Sequence, residues 1–172
     1  GSLPRRASAD VYARMAESAA IRSSKLVLDT SGSALKASIA QGGLALIKPS
    51  IGELESLGGS PLKRASEAED AALNLVKTGA SAMVAVTLGK DGGFLADHEG
   101  IYRLPALEIE ALSAVGAGDS FLAGMVQALS EGKSNRQAFR TGMAAGAAAC
   151  LNIGTQLCRK ADVDRLLAEM PD

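Results

Sequence analysis

An α/β fold built on a mostly parallel sheet with an antiparallel edge is predicted, on three observations. Short apolar runs alternate with stretches of helical periodicity, as repeated strand–helix units require. Glycines punctuate the ends of the helical stretches. A glycine-rich turn, Gly89-Lys-Asp-Gly-Gly93, separates two strand candidates that lie too close in sequence for a crossover helix.

In chain order, Val11, Met15 and Ala19 recur at helical spacing within 10–20, with Asp10 placed to cap the start. Lys25-Leu-Val-Leu-Asp29 is a buried-strand run closed by Thr30-Ser31-Gly32, and a helix over 33–41 stops at Gly42. The alternation continues with a strand over 44–48 and a helix over 50–57, broken by Gly58-Gly59-Ser60-Pro61. A helix over 66–78 follows, with Ser66 and Glu69 in capping-box spacing and Gly79 at its stop. Residues 82–87 return as a strand, and Gly100 offers a second reversal beyond the glycine-rich turn. From Gly118 the pattern is helical over 118–130, 135–151 and 161–170.

At 172 residues, with 47% hydrophobic and 22% charged, the chain is long enough for one globular domain. A net charge of −1 and 3% aromatic residues argue against a nucleic-acid surface. Charged residues and glycines interrupt every apolar stretch before it reaches membrane-spanning length, and no signal pattern opens the chain, so a soluble, cytoplasmic protein is expected. Cys150 and Cys158 are too few for a disulfide framework, with Cys150 read as core, and the lone His98 reads as an exposed turn residue.

The chemistry concentrates in Val115-Gly-Ala-Gly-Asp119-Ser120, directly ahead of the amphipathic pattern Phe121, Leu122, Met125, Val126 and Leu129. A glycine turn at a helix N-terminus presents unpaired N–H groups and the positive end of the dipole, a setting suited to a phosphate. Asp119 stands in the first turn, where its ionised form is favoured and where it can take a proton from a hydroxyl. A base beside an anion hole is what phosphoryl transfer to a hydroxyl needs, although the same residues also describe a plain capped turn. Ser50 and Glu53 likewise form a capping box, and Thr87 to Gly92 can be a simple hairpin turn.

Four ordered segments resemble the ribokinase-like, or PfkB, superfamily of carbohydrate kinases. Ser113-Ala-Val-Gly-Ala-Gly-Asp-Ser120 is similar to its C-terminal signature, and Lys48-Pro-Ser-Ile-Gly-Glu53-Leu54 to its Lys-Pro-Asn-x-x-Glu-Leu segment. Thr87-Leu-Gly-Lys-Asp-Gly92 resembles its nucleotide loop, and Leu151-Asn-Ile-Gly-Thr-Gln156 the terminal segment of the minor-type ATP-dependent 6-phosphofructokinases. Gly1-Ser-Leu-Pro4 is similar to a segment whose serine contacts the sugar phosphate.

The resemblance implies a three-layer α/β/α fold, with 1–172 as its C-terminal nucleotide-binding and catalytic part and with no counterpart of the N-terminal half or the β-sheet lid. It implies Asp119 as catalytic base, with the backbone of Gly116, Ala117 and Gly118 around the transferred phosphoryl. Lys48 and Ser50 fall beside the nucleotide phosphates, Thr87, Leu88, Gly89 and Gly92 form the nucleotide wall, and Met143 and Ala147 meet the adenine. Ser2 touches the sugar phosphate, and Glu53 helps to hold Mg2+. K+ falls to Ser113, Val115, Ala149, Asn152, Gly154 and Gln156. Ser50 departs from the family asparagine. The implied substrates are ATP and fructose 6-phosphate, with fructose 1-phosphate or tagatose 6-phosphate as alternatives, and the implied assembly is a homodimer through the lid. Such a part alone is expected to be inactive as a sugar kinase. A nucleotide-binding module without catalysis is the competing class. A dinucleotide-binding oxidoreductase is disfavoured, because no Gly-x-Gly-x-x-Gly follows the first strand.

Overall fold

The computed structural model describes residues 3–4 and 6–170. They form two compact units, the first running to Leu88 and taking in Phe94–Tyr102, the second comprising Gly89–Gly93 and the chain from Arg103 onward.

The first unit carries α1 (Val11–Ile21), β1 (Val27–Leu28), α2 (Gly32–Gln41), β2 (Leu46–Ile47), α3 (Ile51–Gly58), α4 (Ala65–Lys77) and β3 (Val84–Thr87). Strands β4 (Gly93–Asp97) and β5 (Gly100–Leu104) complete a five-stranded sheet in the order β1-β2-β3-β4-β5. β1, β2 and β3 run parallel, with Leu28 opposite Ile47 and Ile47 opposite Val84. β4 and β5 are sheet neighbours joined only by His98 and Glu99, and β3 reaches β4 through the short 3-10 turn Gly89–Asp91. Connections that short close only antiparallel pairs, so the predicted edge is present.

The first two predicted strands shorten at both ends, and the third, expected over 82–87, only at its start. Only Val27–Leu28 and Leu46–Ile47 join the ladder of the runs 25–29 and 44–48, with an isolated bridge from Leu44 to Ser81. These strands are apolar on both faces because both are buried: Leu28, Ile47, Val84, Val86, Phe94 and Ala96 share one core with Leu54, Ala68 and Ala72 of the helices, and the alternating Leu46, Ala85 and Leu95 are buried as well. Each fully buried large side chain contributes about 1.5–3 kcal/mol against an exposed state.

Two helix starts differ from expectation. Asp10 occupies the first cap but makes no side-chain bond, since its backbone (φ −86°, ψ 0°) is already helix-like rather than extended. The box foreseen at Ser66 and Glu69 lies two residues earlier: α4 begins at Ala65, and Glu67 Oε2 accepts from the backbone of Lys63 (2.7 Å) and Arg64 (3.2 Å). Glu69 is buried instead.

The second unit holds α5 (Ala117–Ser130), α6 (Asn135–Cys150) and α7 (Lys160–Glu169). Ser134 and Gln137 form a reciprocal capping box for α6. α5 and α6 pack through Phe121 and Phe139, whose rings meet edge-on at 5.7 Å and 79°, a geometry worth about 0.5–1.5 kcal/mol beyond burial. Glycines let the helix axes approach. A Cβ at Gly142 would stand 2.6 Å from Met125 Cγ and 2.9 Å from the Phe121 carbonyl, and one at Gly124 would stand 2.8 Å from Ala145 Cβ. The alanine- and glycine-rich composition of α6 is thus a packing requirement. Cys150, expected in the core, is only half-buried at the end of α6, and burial raises its thiol pKa. His98 is exposed in the β4–β5 turn.

Candidate active site

The site residues of the first unit gather at the carboxyl edge of the parallel strands, the edge where open α/β sheets bind ligands. Lys48 follows Ile47, the last residue of β2, and Thr87 ends β3. Pro49 is buried, and it cannot extend the ladder, so the chain turns into α3 with Ser50 as the cap. There the structural alternative for Glu53 is realised: Glu53 Oε2 accepts from Ser50 N at 2.7 Å while Ser50 Oγ accepts from Glu53 N at 3.3 Å. One carboxylate oxygen of Glu53 therefore fixes the helix start, and the side chain stays at the half-exposed edge.

Sequence reasoning missed one residue of this edge. Asp29 leaves β1 level with Lys48, because Leu28 and Ile47 are register partners, and Lys48 Nζ lies 3.6 Å from Asp29 Oδ1. The signal was an acid closing the apolar run of β1 beside a strand whose run closes with a lysine.

In the second unit, the glycine turn is where the sequence put it. Gly116 caps α5 with φ +79°, a left-handed value that glycine alone adopts freely. A Cβ there would meet nothing within 4 Å, so the glycine answers to backbone conformation and the space above it is open. Ala117 N donates to Ala114 O at 3.3 Å and Ser120 N to Gly116 O at 2.9 Å. The N–H groups of Gly118 and Asp119 fall in the first turn, whose donors have no acceptor inside the helix. The Asp119 side chain is exposed, at the third helical position.

A second loop is tied to the segment before this turn. Leu112 N and Ser113 N donate to Cys150 O at 2.8 and 3.3 Å, and Ser113 Oγ donates to Gly154 O at 3.3 Å. Val115 N in turn donates to Ser113 Oγ at 3.2 Å. Ser113, Val115 and Gly154 are thus brought together. Ala149 O already accepts from Asn152 N at 3.2 Å, and the buried Asn152 amide donates to Ala148 O and Leu157 O, holding the loop against the helix end. Gln156 is exposed on that loop.

Gly92, expected in the nucleotide wall, is also tightly packed. Its φ is +88° and a Cβ would stand 2.1 Å from Leu104 O, so this glycine makes room for the chain leaving β5. Met143 is buried and Ala147 half-buried on α6. Leu88 is half-buried and Gly89 exposed. Ser2 lies outside the described residues. No cluster of three or more His, Cys, Asp or Glu suited to a metal occurs among the described residues.

Comparison with known proteins then decides the family: residues 1–162 match the pfkB family carbohydrate kinases. The chain belongs to that family. It is 39% identical over 165 residues to the ATP-dependent 6-phosphofructokinase isozyme 2 of Mycobacterium tuberculosis, covering 96% of this chain and 48% of that protein. It is 34% identical to the 1-phosphofructokinase of Borreliella burgdorferi, over 99% of this chain and 54% of that protein. The solved structure of phosphofructokinase-2 from Escherichia coli in complex with substrates and products superposes with a TM-score of 0.93 at 34% identity, over 99% of this chain and 55% of that one. Arabidopsis thaliana ribokinase shares the fold, with a TM-score of 0.79 at 22% identity over 96% of this chain and 55% of that one. The chain spans about half the length of the curated relatives it matches.

Proposed function

We propose that residues 1–172 are the nucleotide-binding and catalytic part of an ATP-dependent sugar-phosphate kinase that converts fructose 6-phosphate and MgATP into fructose 1,6-bisphosphate and ADP. The observation that carries this is the exposed Asp119 carboxylate in the first turn of α5, directly behind the left-handed Gly116. The relatives named 6-phosphofructokinase isozyme 2 and 1-phosphofructokinase support a sugar phosphate as acceptor.

Asp119 accepts the proton of the sugar hydroxyl as that oxygen bonds to the γ-phosphorus. The bond from phosphorus to the β,γ-bridging oxygen breaks, and its electron pair leaves with ADP. First-turn N–H groups around Gly116, Ala117 and Gly118 oppose the charge on the transferred phosphoryl. Lys48 and Ser50 face the nucleotide phosphates, Thr87, Leu88 and Gly89 wall the nucleotide, Gly92 shapes that wall, and Met143 with Ala147 approach the adenine. Ser2 contacts the sugar phosphate.

Glu53 suits a hard cation, because the cap engages one of its oxygens and leaves the other at a half-exposed edge, fit for a water-mediated contact to Mg2+. Magnesium neutralises phosphate charge when bound. The oxygens of Ser113, Val115 and Gly154, drawn together by the Ser113–Gly154 bond, form the core of a K+ site, with Ala149, Asn152 and Gln156 on the adjoining turn. A structure with potassium is known for the Escherichia coli relative.

A cytoplasmic enzyme is proposed; no helix among the described residues is long and apolar enough to cross a membrane. The proposed assembly is a homodimer through a lid outside this chain, while the Escherichia coli relative is also known in a tetrameric inhibited form. The 172 residues alone transfer phosphate to sugar poorly, because lid closure is what excludes water and completes such a site.

The test is Asp119→Asn in the full-length protein. Turnover falls by about 10²–10⁴ while ATP affinity stays within about twofold, since a positioned base acts on the chemical step. Unchanged turnover removes the mechanism. A kcat/KM higher with fructose 1-phosphate or tagatose 6-phosphate than with fructose 6-phosphate reassigns the substrate and keeps the kinase.

A further inference from the structure

In the second unit α5 and α7 both pack along α6, and an open groove of about 700 Å³ runs between them, a size at which clefts hold small molecules. It is deep because its floor is built from Gly124, Ala128 and Ala145, whose side chains are too small to fill it. Its α7 wall is formed by the half-buried Val163 and Leu167. It is long because it follows α5 from Ser120 to Glu131, about 16 Å at the helical rise per residue. None of its side chains is among those proposed for ATP, sugar, magnesium or potassium.

Charge is uneven along the groove. Near the start of α7, Lys160 meets Asp164 at 2.6 Å, and that pair cancels. At the opposite end Arg140 Nη2 donates to Met170 O at 3.2 Å, where α7 stops, and Lys133 stands in the turn joining α5 to α6. Glu131 is the carboxylate of that end among the described residues, and it accepts from Gln127 Nε2 at 3.2 Å. Two cations against one acid leave a single positive charge, which complements a carboxylate and falls short of a phosphate dianion.

We propose that this groove binds an elongated monocarboxylate. Its apolar chain lies over Gly124, Ala128 and Ala145 and against Val163 and Leu167, and its carboxylate meets Lys133 and Arg140. Burial of the chain supplies the affinity, and the cations fix its direction in the groove.

The test is isothermal titration of the full-length protein with decanoate, kept below the concentration at which it forms micelles. Saturable one-to-one binding is expected, at least about tenfold tighter than that of decanol, which has the same chain and no charge. Lys133→Met weakens decanoate about fivefold, the upper range for an exposed ion pair, and leaves decanol unchanged. Val163→Trp fills the groove and removes binding of both.

Absence of saturable binding overturns the proposal. So does decanol binding as tightly as decanoate, which marks an apolar surface that a protein segment covers. Decanoate bound equally well by wild type and Lys133→Met lies elsewhere and overturns it too. If Val163→Trp does not fold, Lys133→Met, a change at an exposed position, carries the test alone. A loss for decanoate with decanol unmoved supports the proposal, and equal losses for both overturn it.

Discussion

The backbone of Gly146 in α6 lies against the carbonyl of Ala117 at the start of α5, so closely that a Cβ on Gly146 would stand 3.2 Å from that oxygen and 3.3 Å from Phe121 Cβ. The position of the glycine turn that opens α5 is therefore set from behind, by a residue outside every motif.

Gly146→Ala forces a shift of a few tenths of an ångström on the turn that carries Asp119. Higher helix propensity, worth up to about 1 kcal/mol, offsets the crowding, so the melting temperature stays nearly constant. Turnover in the full-length protein falls roughly tenfold, because reacting groups tolerate little misplacement. Gly142→Ala, which meets the Phe121 carbonyl, behaves differently: it costs about 1–3 kcal/mol and lowers the thermal midpoint.

Gly92→Ala combines a left-handed backbone with a Cβ inside the Leu104 carbonyl, and costs about 3 kcal/mol or more. Thermal denaturation checks this. A variant of unchanged stability that has lost nucleotide binding points instead to direct contact of Gly92 with the nucleotide.

Thr30, buried at the end of β1, has a hydroxyl with no hydrogen-bond partner among the described residues. An unmet buried hydroxyl costs about 1–3 kcal/mol, so the isosteric Thr30→Val is neutral or stabilising by about 1 kcal/mol in denaturant unfolding. A clear loss of stability contradicts the unpaired hydroxyl.

Glu67 is held below its ordinary pKa of 4.5, chiefly by the backbone N–H of Lys63 and then by the Arg64 side chain. A depressed carboxylate stabilises the fold above its unfolded pKa and loses that contribution as pH falls through the lower folded value. Glu67→Gln therefore lowers the melting temperature at neutral pH, and the two curves converge as the pH falls through the lowered folded value of Glu67.

The alternation of elements was legible because period and punctuation agreed: α2 ends at Gly42, α4 is followed by Gly79, and α5 opens at Gly116, each with positive φ. Strand lengths were not legible, since an apolar run such as 44–48 states burial and not which amides find a ladder partner. The start of α4 was misplaced because Ser66 and Glu69 have capping spacing, whereas Glu67 binds the backbone ahead of it. Local motifs placed Lys48, Glu53 and Asp119. The partnership of Asp29 with Lys48 was hidden, because it depends on strand register, which only the paired sheet reveals.

The reciprocal cap between Ser50 and Glu53 makes Glu53 an anchor and a charge at once. Alanine at this position abolishes both, so an inactive alanine variant merges an unravelled helix with the loss of the charge proposed to act on Mg2+. Glutamine keeps an oxygen for the Ser50 amide and discards only the charge, which makes it the substitution that separates scaffold from chemistry.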